Sequence, residues 1–243
     1  MFKALVCTLL AAAVGAELIP GQIDMSMALA VSHKTSQTDA VCSDEDQAKV
    51  KTCLLSYWQS FGVDTNNLPP YLAWWADVET ILNRFGFAGM NIVCSYVDSY
   101  NACLGPIHNK TECTSVAAFT KMFGFDEQNS SEYASDFPMR DYECAHKNVV
   151  NENYDCLVDI SEHHMSKVSE CRIKMATDIA EGMETCAIMN DYMTCMDAIY
   201  DAFCGKSIMG FVCNVLEIML TFNIGDQCNG KLPVCPEVPL GIH

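Results

Sequence analysis

The sequence predicts an all-α fold, a helical bundle stitched by disulfide bonds, and three observations support this prediction. Apolar side chains recur at helical spacing along most of the chain, and no segment shows the period-two alternation of a strand. Glycine and proline stand between the periodic stretches, where helices begin or end. The chain also has 15 cysteines among 243 residues, which is typical of exported, disulfide-stabilised proteins.

The start of the chain, Met1–Ala16, predicts a secretory signal peptide. Lys3 precedes an apolar run over residues 4–14, and small residues follow, which is the order of regions in such peptides. A membrane anchor is the less favoured alternative, because a span needs about 20 apolar residues. Residues 17–40 are polar and aperiodic and predict a flexible lead-in to a cysteine-rich helical domain over residues 41–243.

Four helices are predicted in the first half. Ser43, followed by three acidic residues, is a favourable N-cap, and Gly62 ends the first helix. Pro69-Pro70 begins the second helix, Gly105-Pro106 ends the third, and Thr111 caps the fourth. Their apolar positions are, in order, Val50, Cys53, Leu54, Tyr57, Trp58 and Phe61; Leu72, Trp75, Val78, Leu82 and Phe85; Met90, Val93, Val97 and Tyr100; and Val116, Phe119 and Phe123.

The polar segment Asp126–Ser135 lacks periodicity and is predicted to be a surface loop between two halves, residues 41–125 and 136–228. Asp136 is predicted to cap the next helix, with Pro138 in its first turn. The sequence is then helical almost to its tail. Breaks are predicted near Asn151–Asn153, Gly182 and Gly205.

The most apolar stretch of the second half is Ser207–Phe222. It is too short to span a bilayer, and Asn214 and Glu217 within it would be unfavourable in lipid. It is therefore predicted to be a buried core helix of a soluble protein. The tail, which ends at His243, contains several turn-forming residues and is predicted to be irregular and pinned by its cysteines.

Cys7 lies in the predicted signal peptide, which leaves 14 cysteines. An even number in an exported chain predicts a complete disulfide framework, although the count leaves the connectivity open. No CxxC pair is present to favour a zinc site. The candidate residues are Cys42, Cys53, Cys94, Cys103, Cys113, Cys144, Cys156, Cys171, Cys186, Cys195, Cys204, Cys213, Cys228 and Cys235.

Cys186, Cys195 and Cys204 are spaced nine residues apart. Nine residues of α-helix turn through about 900°, so successive cysteines leave opposite faces. They are also about 13 Å apart along the axis, whereas a disulfide needs Cα atoms within about 7 Å. Each cysteine must therefore reach a different neighbour, which predicts a central helix. The same reasoning applies to Cys94 and Cys103.

Cys42 and Cys53 are eleven residues apart, a spacing that returns to nearly the same helix face. We expect this pair to tie one helix to a single partner, or the cap of that helix to a neighbouring segment.

A shared pattern raises the hypothesis of an internal duplication. Residues 94–103 and 186–195 both have the spacing C-x5-Y-x2-C, which aligns Tyr100 with Tyr192. The flanking cysteines that match are Cys42 and Cys53 with Cys144 and Cys156, and Cys113 with Cys204. The second half also has an extra cysteine, Cys171, and a shorter interval before the pattern, so a chance likeness stays open.

The segments CLLSYW and VCSYVDSYNACLG resemble the cysteine-rich secreted domains of nematodes, including the chondroitin proteoglycan 4 type domain and related families of unknown function. The similarity covers Cys42–Cys113 best, with a looser echo over Cys144–Cys213. It implies an extracellular, non-enzymatic helical domain. Such proteins carry chondroitin at Ser-Gly dipeptides, and this chain contains none, so the resemblance extends to the domain and not to the attached glycan.

Two sequons, at Asn109 and Asn129, predict N-glycosylation of an exported chain. The formal charge is −17, and it approaches −18 once Lys3 is removed with the signal peptide. A surface this acidic repels nucleic acid and anionic lipid. Simple solubility is the favoured explanation, while cationic partners or calcium are only permitted by it.

No catalytic motif, nucleotide-binding loop or cofactor site is present in the sequence. The nearest metal-like group comprises Asp159, Glu162, His163 and His164, for which a solvated polar face is the favoured interpretation. We therefore predict no catalytic residue, no cofactor and no metal.

The methionines in the second half have two interpretations: they fill the protein core, or they line an adaptable ligand pocket. They are Met183, Met189, Met193, Met196, Met209 and Met219. The favoured function is a secreted, non-enzymatic structural or interaction module of the extracellular matrix or a host interface, whose partner is an extracellular protein or matrix component. The alternative is a carrier of a small hydrophobic ligand.

Overall fold

The computed structural model describes residues 42–238, and within that range the chain is helical and contains no β-strand. The predicted signal peptide, residues 1–16, and the lead-in, residues 17–40, lie outside the described residues. The predicted fold class, all-α with disulfide bonds, is confirmed. No helix in the described range is both long and apolar enough to cross a membrane.

The described chain divides into two compact units, the N-terminal unit of residues 42–144 and the C-terminal unit of residues 145–238. The helices of the first are α1 Asp44–Ser60, α2 Tyr71–Phe85, α3 Phe87–Leu104, α4 Val116–Phe123 and α5 Glu127–Ala145, whose last residue already belongs to the second unit. Two 3-10 turns, Gly105–Asn109 and Thr111–Cys113, connect α3 to α4.

Helix α1 begins where the sequence predicts it. The Asp46 N–H donates to the Ser43 side-chain oxygen over 3.1 Å, which caps the helix. Helices α1 and α2 both pack on α3, and aromatic rings contribute much of the core. The Tyr57 ring lies 5.5 Å from that of Tyr100, and the Trp58 ring lies 5.0 Å from that of Tyr133.

Helices α2 and α3 form a tight hairpin that depends on two glycines. Gly86 joins them with a φ of 58°, a conformation that favours glycine. Gly89 lies against the backbone of α2, where a Cβ atom would be 2.8 Å from the carbonyl oxygen of Ile81 and 2.9 Å from the Cα of Leu82. The absence of a side chain at Gly89 lets the two backbones approach this closely.

The predicted apolar face of α2 is partly wrong. Leu72 and Phe85, both predicted to lie on this face, are 36% and 45% exposed. Its buried residues are Tyr71, Trp74, Trp75, Val78 and Leu82. These positions follow one helical stripe, and Leu72 lies about 100° around the helix from Tyr71.

Helix α4 is capped by Ser115 and not, as predicted, by Thr111. The Ala118 N–H donates to the Ser115 side-chain oxygen over 3.3 Å. Thr111 instead begins a 3-10 turn that ends at Cys113, before α4 starts. Thr111 therefore lies at the start of the turn that precedes α4, and not at the start of α4.

The loop predicted for Asp126–Ser135 is also wrong, because α5 begins at Glu127. Asp126 caps this helix, since its carboxylate accepts the Asn129 N–H over 2.7 Å. The division between the two units falls after Cys144 and not within 126–135.

Asp136 and Pro138, which we expected in a first turn, lie in the interior of α5. The polar residues at the start of this helix suggested a loop, but several of them are buried and form hydrogen bonds within the fold. Ser130 is buried, for example, and its hydroxyl lies 2.8 Å from that of Thr120.

The C-terminal unit consists of α6 Lys147–Glu152, α7 Tyr154–Asp159, a π turn Ile160–His164, α8 Met165–Ala180, α9 Thr185–Cys204, α10 Lys206–Ile224 and a 3-10 turn Gly225–Cys228. The predicted breaks near Asn151–Asn153, Gly182 and Gly205 coincide with the ends of α6, α8 and α9. Helix α9 packs on both α8 and α10, so it is the central helix of this unit.

Helix α10 contains the apolar stretch Ser207–Phe222, and the prediction of a buried core helix is confirmed. Phe211, Val215, Leu216 and Leu220 are almost completely buried in it. The tail that follows has no regular secondary structure over residues 233–238.

Candidate functional site

All fourteen candidate cysteines are paired in seven disulfides within the described range. The N-terminal unit contains Cys42–Cys113, Cys53–Cys103 and Cys94–Cys144, and the C-terminal unit contains Cys156–Cys204, Cys171–Cys195, Cys186–Cys228 and Cys213–Cys235. Each disulfide therefore joins two cysteines of the same unit.

The spacing of nine residues has the predicted consequence. On α9, Cys186 bonds to the turn after α10, Cys195 bonds to α8, and Cys204 bonds to α7. On α3, Cys94 and Cys103 bond to α5 and α1. Each of these helices is thus fixed from different sides by different neighbours, and bridges of this kind each typically stabilise a fold by about 2–4 kcal/mol.

The pairing does not follow the pattern that suggested an internal duplication. Cys103 bonds Cys53, whereas its counterpart Cys195 bonds Cys171, which has no counterpart in the first half. Cys144, which the pattern assigns to the second half, bonds Cys94 in the N-terminal unit. Duplication stays a hypothesis that the disulfides do not support.

The two predicted glycosylation sites differ in their surroundings. Asn109 is exposed in a 3-10 turn. Asn129 lies in the first turn of α5, where its side-chain oxygen accepts the Tyr71 N–H over 2.9 Å and its nitrogen donates to Asp126. Ser131, the last residue of the second sequon, is buried. Both groups of the Asn129 amide are therefore already engaged in the fold.

A cluster of buried charges, which the sequence did not predict, lies inside the N-terminal unit. Asp136, Arg140 and Glu143 share one face of α5, and their side chains are at most 1% exposed. The Arg140 Nε donates to Asp136 over 3.2 Å, and its Nη1 donates to Glu143. The Tyr71 hydroxyl donates to the same Asp136 oxygen over 3.0 Å. We call Asp136, Arg140 and Glu143 the α5 charge cluster.

The surroundings of the α5 charge cluster are aromatic. The guanidinium of Arg140 lies 4.3 Å from the centroid of the Trp75 ring, close enough for a cation–π interaction. Burial raises the pKa of Tyr71 and that of Tyr57 well above the usual range. These phenols are therefore neutral at physiological pH, and the charges belong to the three cluster residues alone.

The cluster has two carboxyl groups for one cation. Burial raises the pKa of Glu143 to about 7, although the adjacent Arg140 opposes this effect. Burial also raises the pKa of Asp136. Carboxylates taken out of water favour the neutral form, so the arrangement retains a proton near neutral pH. Because the cluster is sealed from solvent, this chemistry serves the fold and does not reach a dissolved substrate.

One sequence signal could have revealed the cluster. Cys144 marks the buried face of α5, and Arg140 and Phe137 precede it by one and two helical turns. Charged residues on the same stripe as a disulfide and an aromatic ring are candidates for buried ion pairs. Hydrophobic periodicity alone treats them as a solvated face.

The histidine-rich group that the sequence singled out lies on the π turn of the C-terminal unit. The Asp159 carboxylate lies between two imidazoles, 3.1 Å from His163 and 3.4 Å from His164. The wider π turn explains why residues four and five positions on both reach Asp159. Asp159 thus pairs with each of the two imidazoles.

In the described range, a single group of possible ligand atoms lies close enough together to hold a metal, namely Cys42, Asp46 and Cys113. The two cysteines form a disulfide with each other, so their sulfurs are not thiolate ligands.

The second-half methionines divide between core and surface. Met189, Met193, Met196 and Met219 are buried, Met209 is half-buried and Met183 is 43% exposed. Four of the six thus contribute to the core of the C-terminal unit, which is the role that unbranched, adaptable side chains commonly have.

Comparison of the chain with protein-family models, with curated proteins and with solved structures found no match.

Proposed function

We propose that this protein is a secreted, non-enzymatic structural or interaction module that works in the extracellular matrix or at a host interface. One observation carries the proposal: all fourteen cysteines of the described range are paired, in seven disulfides. Disulfides in this number form and persist in oxidising compartments such as the extracellular space. The predicted signal peptide would deliver the chain there.

The electrostatics of the fold support a non-enzymatic role. Catalytic acids and bases contact substrate at an accessible site, whereas the α5 charge cluster is sealed from solvent. The fourteen cysteines from Cys42 to Cys235 are oxidised and therefore offer no nucleophilic thiolate. We further propose kinship with the cysteine-rich secreted domains of nematodes, which rests on the spacing of cysteines and aromatic residues in the N-terminal unit.

The first test is secretion of the complete chain from cultured animal cells. We expect the protein in the medium, with a mature N-terminus at Glu17 and no free thiol when it is titrated under denaturing conditions. Retention of a reduced chain in the cytosol would overturn the proposal.

The second test separates an interaction module from a ligand carrier. Native mass spectrometry of the secreted protein should show the mass of the polypeptide and its glycans alone, while immobilised protein should retain a partner from extracellular extract. A co-purified lipid of constant mass would favour the carrier instead.

A further inference from the structure

The tail of the C-terminal unit contains a segment, residues 232–238 with the sequence LPVCPEV, whose conformation is strongly constrained. Pro233 and Pro236 have φ fixed near about −65°. Leu232 and Cys235 each precede a proline, which disfavours the helical region and favours extended conformations. The backbone is therefore restricted at Leu232, Pro233, Cys235 and Pro236. Residues 233–238 have no regular secondary structure.

The segment is half-buried at Leu232, Pro233, Cys235 and Val238 and exposed at Val234, Pro236 and Glu237. This order of burial does not follow the period of two of a strand throughout. The two prolines have φ close to the value of the polyproline II helix, so an irregular segment of this composition favours that conformation. Val234 is 95% exposed.

Two contacts anchor the segment to α10, and a third holds the residue that precedes it. Cys235 is bonded to Cys213 of α10. The Asn214 side chain donates to the Pro236 carbonyl over 2.9 Å, and the Asn190 side chain donates to the Lys231 carbonyl over 3.0 Å. The exposed side chains of Val234 and Glu237 therefore project from a backbone that is fixed before and after them.

The side chains of Pro236 and Val238 lie where a larger residue at Gly210 would be. A Cβ atom there would lie 3.3 Å from Val238 Cγ2 and 3.4 Å from the Pro236 carbonyl oxygen. The absence of a side chain at Gly210 therefore lets the segment pack closely against α10.

We propose that residues 233–238 are a preorganised polyproline-type ligand, which docks into an aromatic-lined groove of an extracellular protein with a basic side chain facing Glu237. This inference rests on the proposed function and names the class of partner. Grooves of this type recognise proline rings and aliphatic side chains on a preformed polyproline II helix. A ligand already fixed in its bound conformation loses little conformational entropy on binding.

Addition of the segment as a strand to the edge of a partner sheet is disfavoured. Strand addition uses backbone N–H donors of alternate residues along one edge. Pro233 and Pro236 lack an N–H and are an odd number of positions apart, so each edge of such a strand would miss a donor. Recognition of a polyproline II helix does not require these donors.

The conformation is tested by NMR of the intact secreted protein. We expect φ angles of Val234 and Glu237 near about −75°, the value for polyproline II. Values near about −140°, typical of antiparallel strands, would overturn the proposal.

Binding is tested with three immobilised baits: the native protein, Val234→Asp, and the matched control Ile173→Asp. Both positions are exposed in the C-terminal unit, so neither change should disturb folding. We expect an extracellular protein that is retained by the native and control baits and at least tenfold less by Val234→Asp. The same protein, once purified, should bind the peptide LPVSPEV, in which serine replaces the cysteine, and this peptide should release it from the bait.

The outcomes separate this inference from the proposed function. A partner that binds Val234→Asp as well as the native protein would overturn the docking segment and leave the interaction module intact. Failure of every bait to retain any protein would overturn both.

Discussion

Arg140 and Glu143 lie one helical turn apart on α5 and form an ion pair whose side chains are 1% and 0% exposed. Asp136, one turn earlier on the same face, shares the guanidinium and is equally buried. Removal of three charges from water is unfavourable unless their mutual attraction and hydrogen bonds compensate for it. With two carboxyls and one cation, a proton on one carboxyl brings the cluster to neutrality.

The stability of the N-terminal unit should fall as the pH rises through the titration of Glu143. Burial raises the pKa of this carboxyl from 4.5 to about 7, so between these values the folded chain binds a proton that the unfolded chain has released. The contribution is fully present below pH 4.5 and is lost as the pH approaches 7. A shift of this size corresponds to about 3 kcal/mol. The pKa of Asp136 and that of Asp141 move in the same direction.

Urea unfolding followed by tryptophan fluorescence measures this dependence, since Trp58, Trp74 and Trp75 all belong to the N-terminal unit. The native protein should be more stable at about pH 5 than at about pH 8. Glu143→Gln, which retains the shape of the side chain but does not ionise, should show a much weaker dependence. An increase in native stability from the lower pH to the higher would contradict the assignment.

Arg140→Met should destabilise the N-terminal unit by about 3–5 kcal/mol at neutral pH, because two carboxyls would remain buried without their cation. The loss should shrink at acidic pH, where both carboxyls are protonated. Lys110→Met is the matched control: its ion pair with Asp46 spans 2.6 Å, but Lys110 is 44% exposed, so the change should have little effect on stability. Equal losses at the two positions would show that burial of the pair is unimportant.

The contrast between α1 and α5 shows how far the sequence determines this fold. Local signals are sufficient for α1, whose Ser43 cap and apolar stripe are all close in sequence and are found as predicted. The first turns of α5 escape prediction because their polar residues are stabilised by distant partners, such as Asn129 by Tyr71. The charge cluster escapes for the same reason, since the helix pattern does not reveal that Tyr71 and Trp75 cover Asp136 and Arg140.

The disulfide framework was predictable in part. Helix periodicity shows that cysteines nine residues apart need different partners, and this holds for α3 and α9. The identity of each partner depends on which helices are neighbours, and that arrangement is set by packing across the whole unit. Cys144 illustrates the limit, because its bond to Cys94 is fixed by the contact of α5 with α3.

Disulfide mapping should show that Cys144 is linked to the N-terminal unit. Tryptic cleavage under denaturing, non-reducing conditions yields the peptides 52–84, 85–110 and 141–147, which contain Cys53, Cys94 with Cys103, and Cys144. Two disulfides should join these three peptides into one species, which mass spectrometry detects. Linkage of peptide 141–147 to any peptide after Lys147 would instead support the duplication pattern.

Glycosylation should occur at Asn109 and not at Asn129. A glycan on Asn129 would replace hydrogen bonds that its amide nitrogen makes to both carboxylate oxygens of Asp126, at 2.9 and 3.1 Å. In the secreted protein, Asn109→Gln should abolish the mobility shift produced by enzymatic deglycosylation, whereas Asn129→Gln should leave it unchanged. A glycopeptide that contains Asn129 would show that the start of α5 is accessible during synthesis.

Gly89→Ala should destabilise the N-terminal unit even though alanine is the better helix former. The new methyl group would lie 2.8 Å from the Ile81 carbonyl oxygen, a backbone atom that moves only if α2 moves. Overpacking of this kind costs about 1–3 kcal/mol, against a gain of about 1 kcal/mol from helix propensity. Asn91→Ala, at an exposed position of the same helix, is the control and should be neutral or slightly stabilising. Because the same urea titration reports both variants, stabilisation by Gly89→Ala would mean that α2 and α3 separate readily and that the close approach is not needed for stability.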